Sequence, residues 1–355
     1  MKKKLVITVL IFTITAVAIY ILSNKHFDKV LVSKESNAKT NKREKGTYLP
    51  EKVQSSDKVI KPVEYVKLLG KGLDVDWLKT AQGRKYYNEQ TVKDFKSAGI
   101  SHVRIRISDK ATEELLQDLD KQINDCLNNG LIPVIAYQAD EFKNDPSDKN
   151  IQEVVEWWSI ISNRYKDYSN LLTFDLIIEP SDALNKQPEK LNEIYERIVT
   201  EVRKTNKTRI IMIAPAVRSD PDNLKLLKIP SESNNYLIVE WHFYASGPSK
   251  TNDKKMWTSG TAQEQKLIND KINTVLTWQK ETGIPTWVGA WMPGNYNDGN
   301  NYSVNEQVQF AKFMVQQLDK AGIPFAVNSD TKFYNRESNT WVENMKPVFQ
   351  VIFNK

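Results

Sequence analysis

The chain has 355 residues, 26% of them charged and 40% hydrophobic, a globular composition that excludes a wholly disordered, collagen-like or fibrous protein. One cysteine, Cys126, and three scattered histidines, His26, His102 and His242, exclude a disulfide framework and a metal-ligand cluster, so neither metal nor other cofactor is expected. The formal charge of +6 belongs to the N-terminus: residues 1–62 carry 13 basic and 5 acidic side chains, leaving 37 and 39 for the rest, and such a body is a poor partner for nucleic acid.

In chain order, Lys2, Lys3 and Lys4 precede a charge-free apolar run over residues 5–22, about bilayer length for a helix. The run continues past the small residues Ala16 and Ala18, which predicts an uncleaved signal-anchor over residues 1–23, with a removed signal peptide as the alternative. The positive-inside tendency then places the C-terminal part outside the cell membrane. Residues 24–62 are rich in Lys, Ser and Asn with little apolar periodicity and read as a flexible basic spacer.

Residues 63–355 read as one α/β body. Four glycines end helical patterns and are followed at once by short apolar runs: Gly99 before HVRIRI, Gly130 before IPVIAY, Gly283 before PTWVGA and Gly322 before PFAVN. Each can take the left-handed conformation that stops a helix, and each run suits a buried parallel strand. Further strands fit near 68–75 and over 172–178, 209–214 and 237–244. Alternation of this kind predicts a (β/α)8 barrel, a doubly wound sheet being the alternative. Neither GxGxxG nor GxxxxGK[ST] occurs, so nothing supports a nucleotide cofactor.

In a barrel the chemistry sits at the C-terminal strand ends. Those positions carry Arg104, then Tyr137, Gln138 and Asp140, then Glu179, then Glu240, His242 and Tyr244, then Trp291, and finally Asn328 and Asp330. Strand side chains alternate, so Glu240, His242 and Tyr244 share a face and Trp241 turns to the helices. An inward Glu240 needs a partner, for which Arg104 is the candidate.

From LLGKGLDVDW through SAGISHVRI, FDLIIEP, VEWHFYASGP and TGIPTWVGAW to FYNRESNTW, the body resembles glycoside hydrolase family 5, the cellulase-like retaining β-glycanases. The resemblance implies Glu179 as acid/base, Arg104 as the pocket arginine, and His242 and Tyr244 as substrate contacts. It also exposes departures: Ala290 stands where the family has its nucleophilic glutamate, Ile178 where an asparagine precedes the acid, Gln138 in place of a histidine and Asn328 in place of a tryptophan. A retaining glycosidase needs two carboxyl groups about 5–5.5 Å apart, and Ala290 cannot attack. Glu240 is either a structural ion-pair partner or a relocated nucleophile.

Sugar rings stack on aromatic faces, so Trp77, Tyr137, Trp257, Trp291 and Tyr296 at strand ends are candidate walls, Trp291 first. Asn328 and Gln138 complete the expected substrate contacts. The resulting expectation is a monomeric, membrane-anchored hydrolase of an extracellular β-linked polysaccharide or oligosaccharide, with Glu179 as acid and Glu240 as possible second carboxylate. An inactive glycan-binding relative is the alternative, and an inverting hydrolase a third.

Overall fold

The computed structural model describes residues 58–244, 257–294 and 302–354. The chain divides into two units, Met1–Leu49 and Pro50–Lys355, and every described residue falls in the second. Eight strands close into a parallel barrel in sequence order: β1 (Lys71–Val75), β2 (His102–Ile107), β3 (Ile132–Tyr137), β4 (Thr173–Asp175), β5 (Ile211–Ile213), β6 (Leu237–Tyr244), β7 (Thr286–Met292) and β8 (Phe325–Asn328). Closure comes from the parallel β1–β8 pairing, with Lys71 opposite Phe325 and Asp74 opposite Asn328. A two-stranded antiparallel ribbon, β9 (Tyr334–Asn335) and β10 (Thr340–Trp341), follows β8.

The helices form by ordinary signals. Helix α1 (Pro62–Leu69) starts on a proline, which costs nothing at a helix's first turn. Next come α2 (Ala81–Tyr86), α3 (Glu89–Ser97), α4 (Glu113–Asn128), α5 (Asp140–Asn144), α6 (Asp148–Arg164) and α7 (Pro188–Arg203). Helices α8 (Ala262–Thr282) and α9 (Val304–Ala321) open on capping boxes, Thr261 with Glu264 and Ser303 with Glu306, and α10 (Lys346–Phe353) ends the body. Gly99, Gly130, Gly283 and Gly322 all have φ between 66° and 88°, as helix stops require.

Alternation along the strands divides the apolar residues in two. Val103, Ile105 and Ile107 of β2 pack outward against the helices, in a shell that runs around the barrel. Inside, Val134, Met212, Ile238, Trp287 and Ala326 meet Tyr65, Val66 and Leu69 of α1, which plugs the barrel's N-terminal end. The Tyr65 hydroxyl donates to the Leu171 carbonyl at 2.6 Å, so its burial leaves no orphan polar group.

Several expectations are corrected here. No helix among the described residues is long and apolar enough to cross a membrane, so the membrane-anchored architecture, the membrane as partner and the single-pass location are not carried forward. The apolar run of residues 5–22 on which they rested lies outside the described residues. Leu68 and Leu69 belong to α1, and β1 begins only at Lys71. Strands β4 and β5 are three residues each. Beyond Asp175, Leu176 and Ile178 still bond to neighbouring strands, but the backbone turns left-handed at Glu179, φ 50°, and cannot continue a ladder.

Candidate active site

The inward positions of β1, β2, β4 and β6 place Asp74, Arg104, Asp175, Glu240 and His242 together near the C-terminal end of the barrel. Arg104 is 1% exposed. Its Nε and Nη2 donate to the two oxygens of Asp74 at 2.7 and 3.1 Å, and Nη1 donates to Asp175 at 3.2 Å and to Glu240. The guanidinium carbon lies 5.7 Å from the centroid of the Trp287 ring beneath it. The Arg104–Glu240 pairing implied by strand parity is therefore present.

Burial and neighbouring charge compete throughout this cluster. Burial opposes ionisation of Asp74, but Arg104 and Arg106 outweigh it and hold the carboxyl below its ordinary range. Glu240 follows the same pattern through Arg104 and His242. For Asp175 burial wins, reinforced by the Glu240 charge, and its carboxyl is pushed well above the ordinary range. Burial also works against a charged His242, yet Glu240 and the hydrogen bonds to Glu179 and Glu240 raise its pKa. Arg104, with His242 beside it, thus faces three buried carboxyl groups, Asp74, Asp175 and Glu240, the pairing that buried charge in a dry barrel interior requires.

His242 also separates the two glutamates. Its Nε2 lies 2.6 Å from Glu240 Oε1 and its Nδ1 3.2 Å from Glu179 Oε1, both within hydrogen-bond distance. Glu240 is fully buried, held by Arg104 below and the imidazole above. A nucleophile must reach an anomeric carbon, and this carboxylate faces a ring and a guanidinium. The ion-pair alternative fits this geometry.

Above the cluster lies a pocket of about 220 Å³ whose walls include Gln138, Lys143, Glu179, Arg218 and Asn328. Glu179 is presented by its left-handed backbone and meets Arg218 at 3.4 Å. Lys143 of α5 enters from the other side, donating to the Ile178 carbonyl at 3.2 Å and pairing with Asp140 at 2.8 Å. Gln138 and Asn328 line the pocket as sequence implied. Tyr244 ends β6, but its side chain lies outside the described atoms, as do Tyr296 and Asp298.

The stacking candidates among the described residues go elsewhere. Tyr137 lies flat on Trp157 of α6, centroids 4.1 Å apart and planes at 10°. Trp77 packs on Tyr87 and Phe95, and Trp257 on Phe310 and Phe313. Trp291 is fully buried between Phe310 and Phe325. A bulge in β7 is responsible: Trp241 pairs with Val288 but His242 with Ala290, so Gly289 is an extra residue. One inserted residue reverses which side chains face inward, sending Trp291 into the helical shell and leaving Ala290 packed with Met292. Asp330, just past the end of β8, is fully buried.

Sequence reasoning missed Asp74, Asp175, Lys143 and Arg218. The first two carried a signal, a lone acid at an inward position of an apolar strand. Lys143 and Arg218 carried none beyond following a strand. Among the described residues no group of His, Cys, Asp and Glu could hold a metal ion.

Comparison with known proteins matches this arrangement to a family. The cellulase (glycosyl hydrolase family 5) profile matches residues 66–329. The chain belongs to glycosyl hydrolase family 5. It is 26% identical over 314 residues to Endoglucanase H of Acetivibrio thermocellus, covering 81% of this chain and 33% of that protein. Against Endoglucanase A of Clostridium longisporum it is 21% identical over 281 residues, 69% of this chain and 52% of that one. The chain therefore spans a third to about half of the length of these relatives. Among solved structures, Thermotoga maritima Cel5A in complex with cellobiose superposes with TM-score 0.72 at 25% identity, covering 82% of this chain and 99% of that one. The Clostridioides difficile cellulose synthase subunit CcsZ gives 0.69 at 21%, covering 81% and 100%.

Proposed function

We propose that the protein binds a β-linked oligosaccharide or polysaccharide in the Glu179 pocket and does not cleave it by the family's two-carboxylate retaining route. The observation that carries this reading is that, among the described residues, no carboxylate stands ready to attack: Ala290 occupies the β7 position, and Glu240 is buried behind His242. Glu179 serves as a hydrogen-bonding group toward a glycosidic or hydroxyl oxygen, steadied by His242 and Arg218. Family membership supports the glycan as ligand class, because the barrel mouth is where this fold carries its binding residues.

Calorimetric titration with cello- and manno-oligosaccharides, followed by assay for new reducing ends, tests it. Binding without new reducing ends is expected. New reducing ends that vanish in Glu179→Gln would favour a second reading, inversion through an activated water, which needs no group at Ala290. That reading draws on one feature, the left-handed backbone that presents Glu179 to the pocket.

A further inference from the structure

We propose that the ligand of this pocket is an acidic glycan whose carboxylate is taken by the Arg218 guanidinium, a specificity contact on the β5 side of Glu179. The inference rests on the glycan-binding reading above and adds the chemical class. It begins with the backbone. Val217, Arg218 and Ser219 are three consecutive non-glycine residues with φ of 58°, 56° and 61°. Left-handed conformations of this kind are strained at non-glycine residues and persist only where surrounding structure imposes them. Here the Arg218 N–H donates to the Pro180 carbonyl at 2.8 Å, and the Val217 N–H to Asn185 Oδ1 at 2.9 Å. The turn after β5 is thereby tied to the loop that carries Glu179, and the strained segment delivers one long cationic side chain into the pocket.

What Arg218 does there leaves most of its chemistry unused. A guanidinium offers five N–H donors in a planar fork. Among the described residues the side-chain contact of Arg218 is the single 3.4 Å approach to Glu179, and its side chain remains 26% exposed. A planar fork with spare donors, partly open to a pocket, is the arrangement that matches a carboxylate in bidentate fashion.

The rest of the lining agrees. Cations enter from four strand ends: Lys79 after β1, Arg104 and Arg106 on β2, Lys143 after β3 and Arg218 after β5. No aromatic residue lines the pocket among the described residues, so the stacking by which neutral sugars are usually gripped is missing from these walls. The pocket's carboxylates are engaged within the protein: Asp74 by Arg104, Asp140 by Lys143, Glu179 by His242, while Asp182 accepts from the Ser181 hydroxyl at 2.8 Å. A neutral sugar would strip water from Arg218 without returning a charge, whereas an acidic sugar supplies one.

The test compares oligomers of β-1,4-linked glucuronate with cello-oligosaccharides of equal length, titrated into the full chain at low and high ionic strength. The acidic oligomer is expected to bind at least about tenfold more tightly at low salt, with the gap narrowing as salt is added. Arg218→Met should erase the preference, and Arg218→Lys, which keeps the charge but loses the fork, should retain part of it. Equal or weaker binding of the acidic oligomer to the wild type, or a preference that survives Arg218→Met, would overturn the proposal while leaving the glycan-binding reading intact. Binding of neither oligomer would overturn both.

Discussion

Asp330 follows β8 in a loop, where water would ordinarily solvate a carboxylate, yet the side chain is fully buried beside Arg336, whose Nε lies 3.4 Å away. Burial outweighs Arg336 and Arg106, and with Asp76 adding like charge the carboxyl is pushed up to about 7. That is above the value near 3.9 of an unfolded aspartate, so the unfolded chain releases the proton first. The native state therefore loses stability as pH rises from about 4 to 7, by an amount on the order of a few kcal/mol. Asp330→Asn removes the titration, and Arg336 keeps its partner Asp76. Denaturant unfolding between pH 4 and 8 should show a flatter profile for the variant and greater stability than wild type above pH 7; parallel profiles would contradict the burial argument.

At the scale of the element, the β7 bulge matters most. Helix stops and strand runs were legible because each is a local pattern of glycine and apolar residues. The parity of β6 was legible too, since Trp241 joins the outer shell while Glu240 and His242 share the interior. In β7 the alternation reverses where Gly289 interrupts the count. Gly289 is also where Glu240 needs room: a Cβ there would lie 1.8 Å from Glu240 Oε1 and 2.4 Å from its Cδ. Glu240 cannot yield, being held by Arg104 and His242. Gly289→Ala should destabilise the protein by about 3 kcal/mol, read from the denaturation midpoint, and a change below about 0.5 kcal/mol, the level of ordinary surface substitutions, would show the space is not tight.

Across the whole molecule, Arg104 does what no backbone ladder does, linking side chains of β1, β4 and β6 to β2 through the barrel interior. Arg104→Met would keep the stem's volume but remove the main counter-charge of Asp74 and Glu240, leaving Arg106 and His242 as their lesser neighbours. A loss of about 3–5 kcal/mol is expected, the usual cost of leaving a buried charge unpaired, measured by chemical denaturation at neutral pH. The loss should shrink as pH falls. Asp74 and Glu240 have depressed pKa values in the native protein, so their stabilising pairing is present above the unfolded carboxylate range and lost as pH drops through the folded values.

From the sequence alone came the barrel, the family and the pairing of Glu240 with Arg104, because each rests on local periodicity or on residue identity at a strand end. Tertiary structure decided the rest. It showed that His242 screens Glu240 from the pocket, that the candidate stacking aromatics pack into the helical shell, and that Lys143 and Arg218 flank Glu179. These depend on one extra residue in a strand and on left-handed turns at non-glycine positions. Such features are held by contacts between distant segments, and neighbouring residues in the chain carry no mark of them.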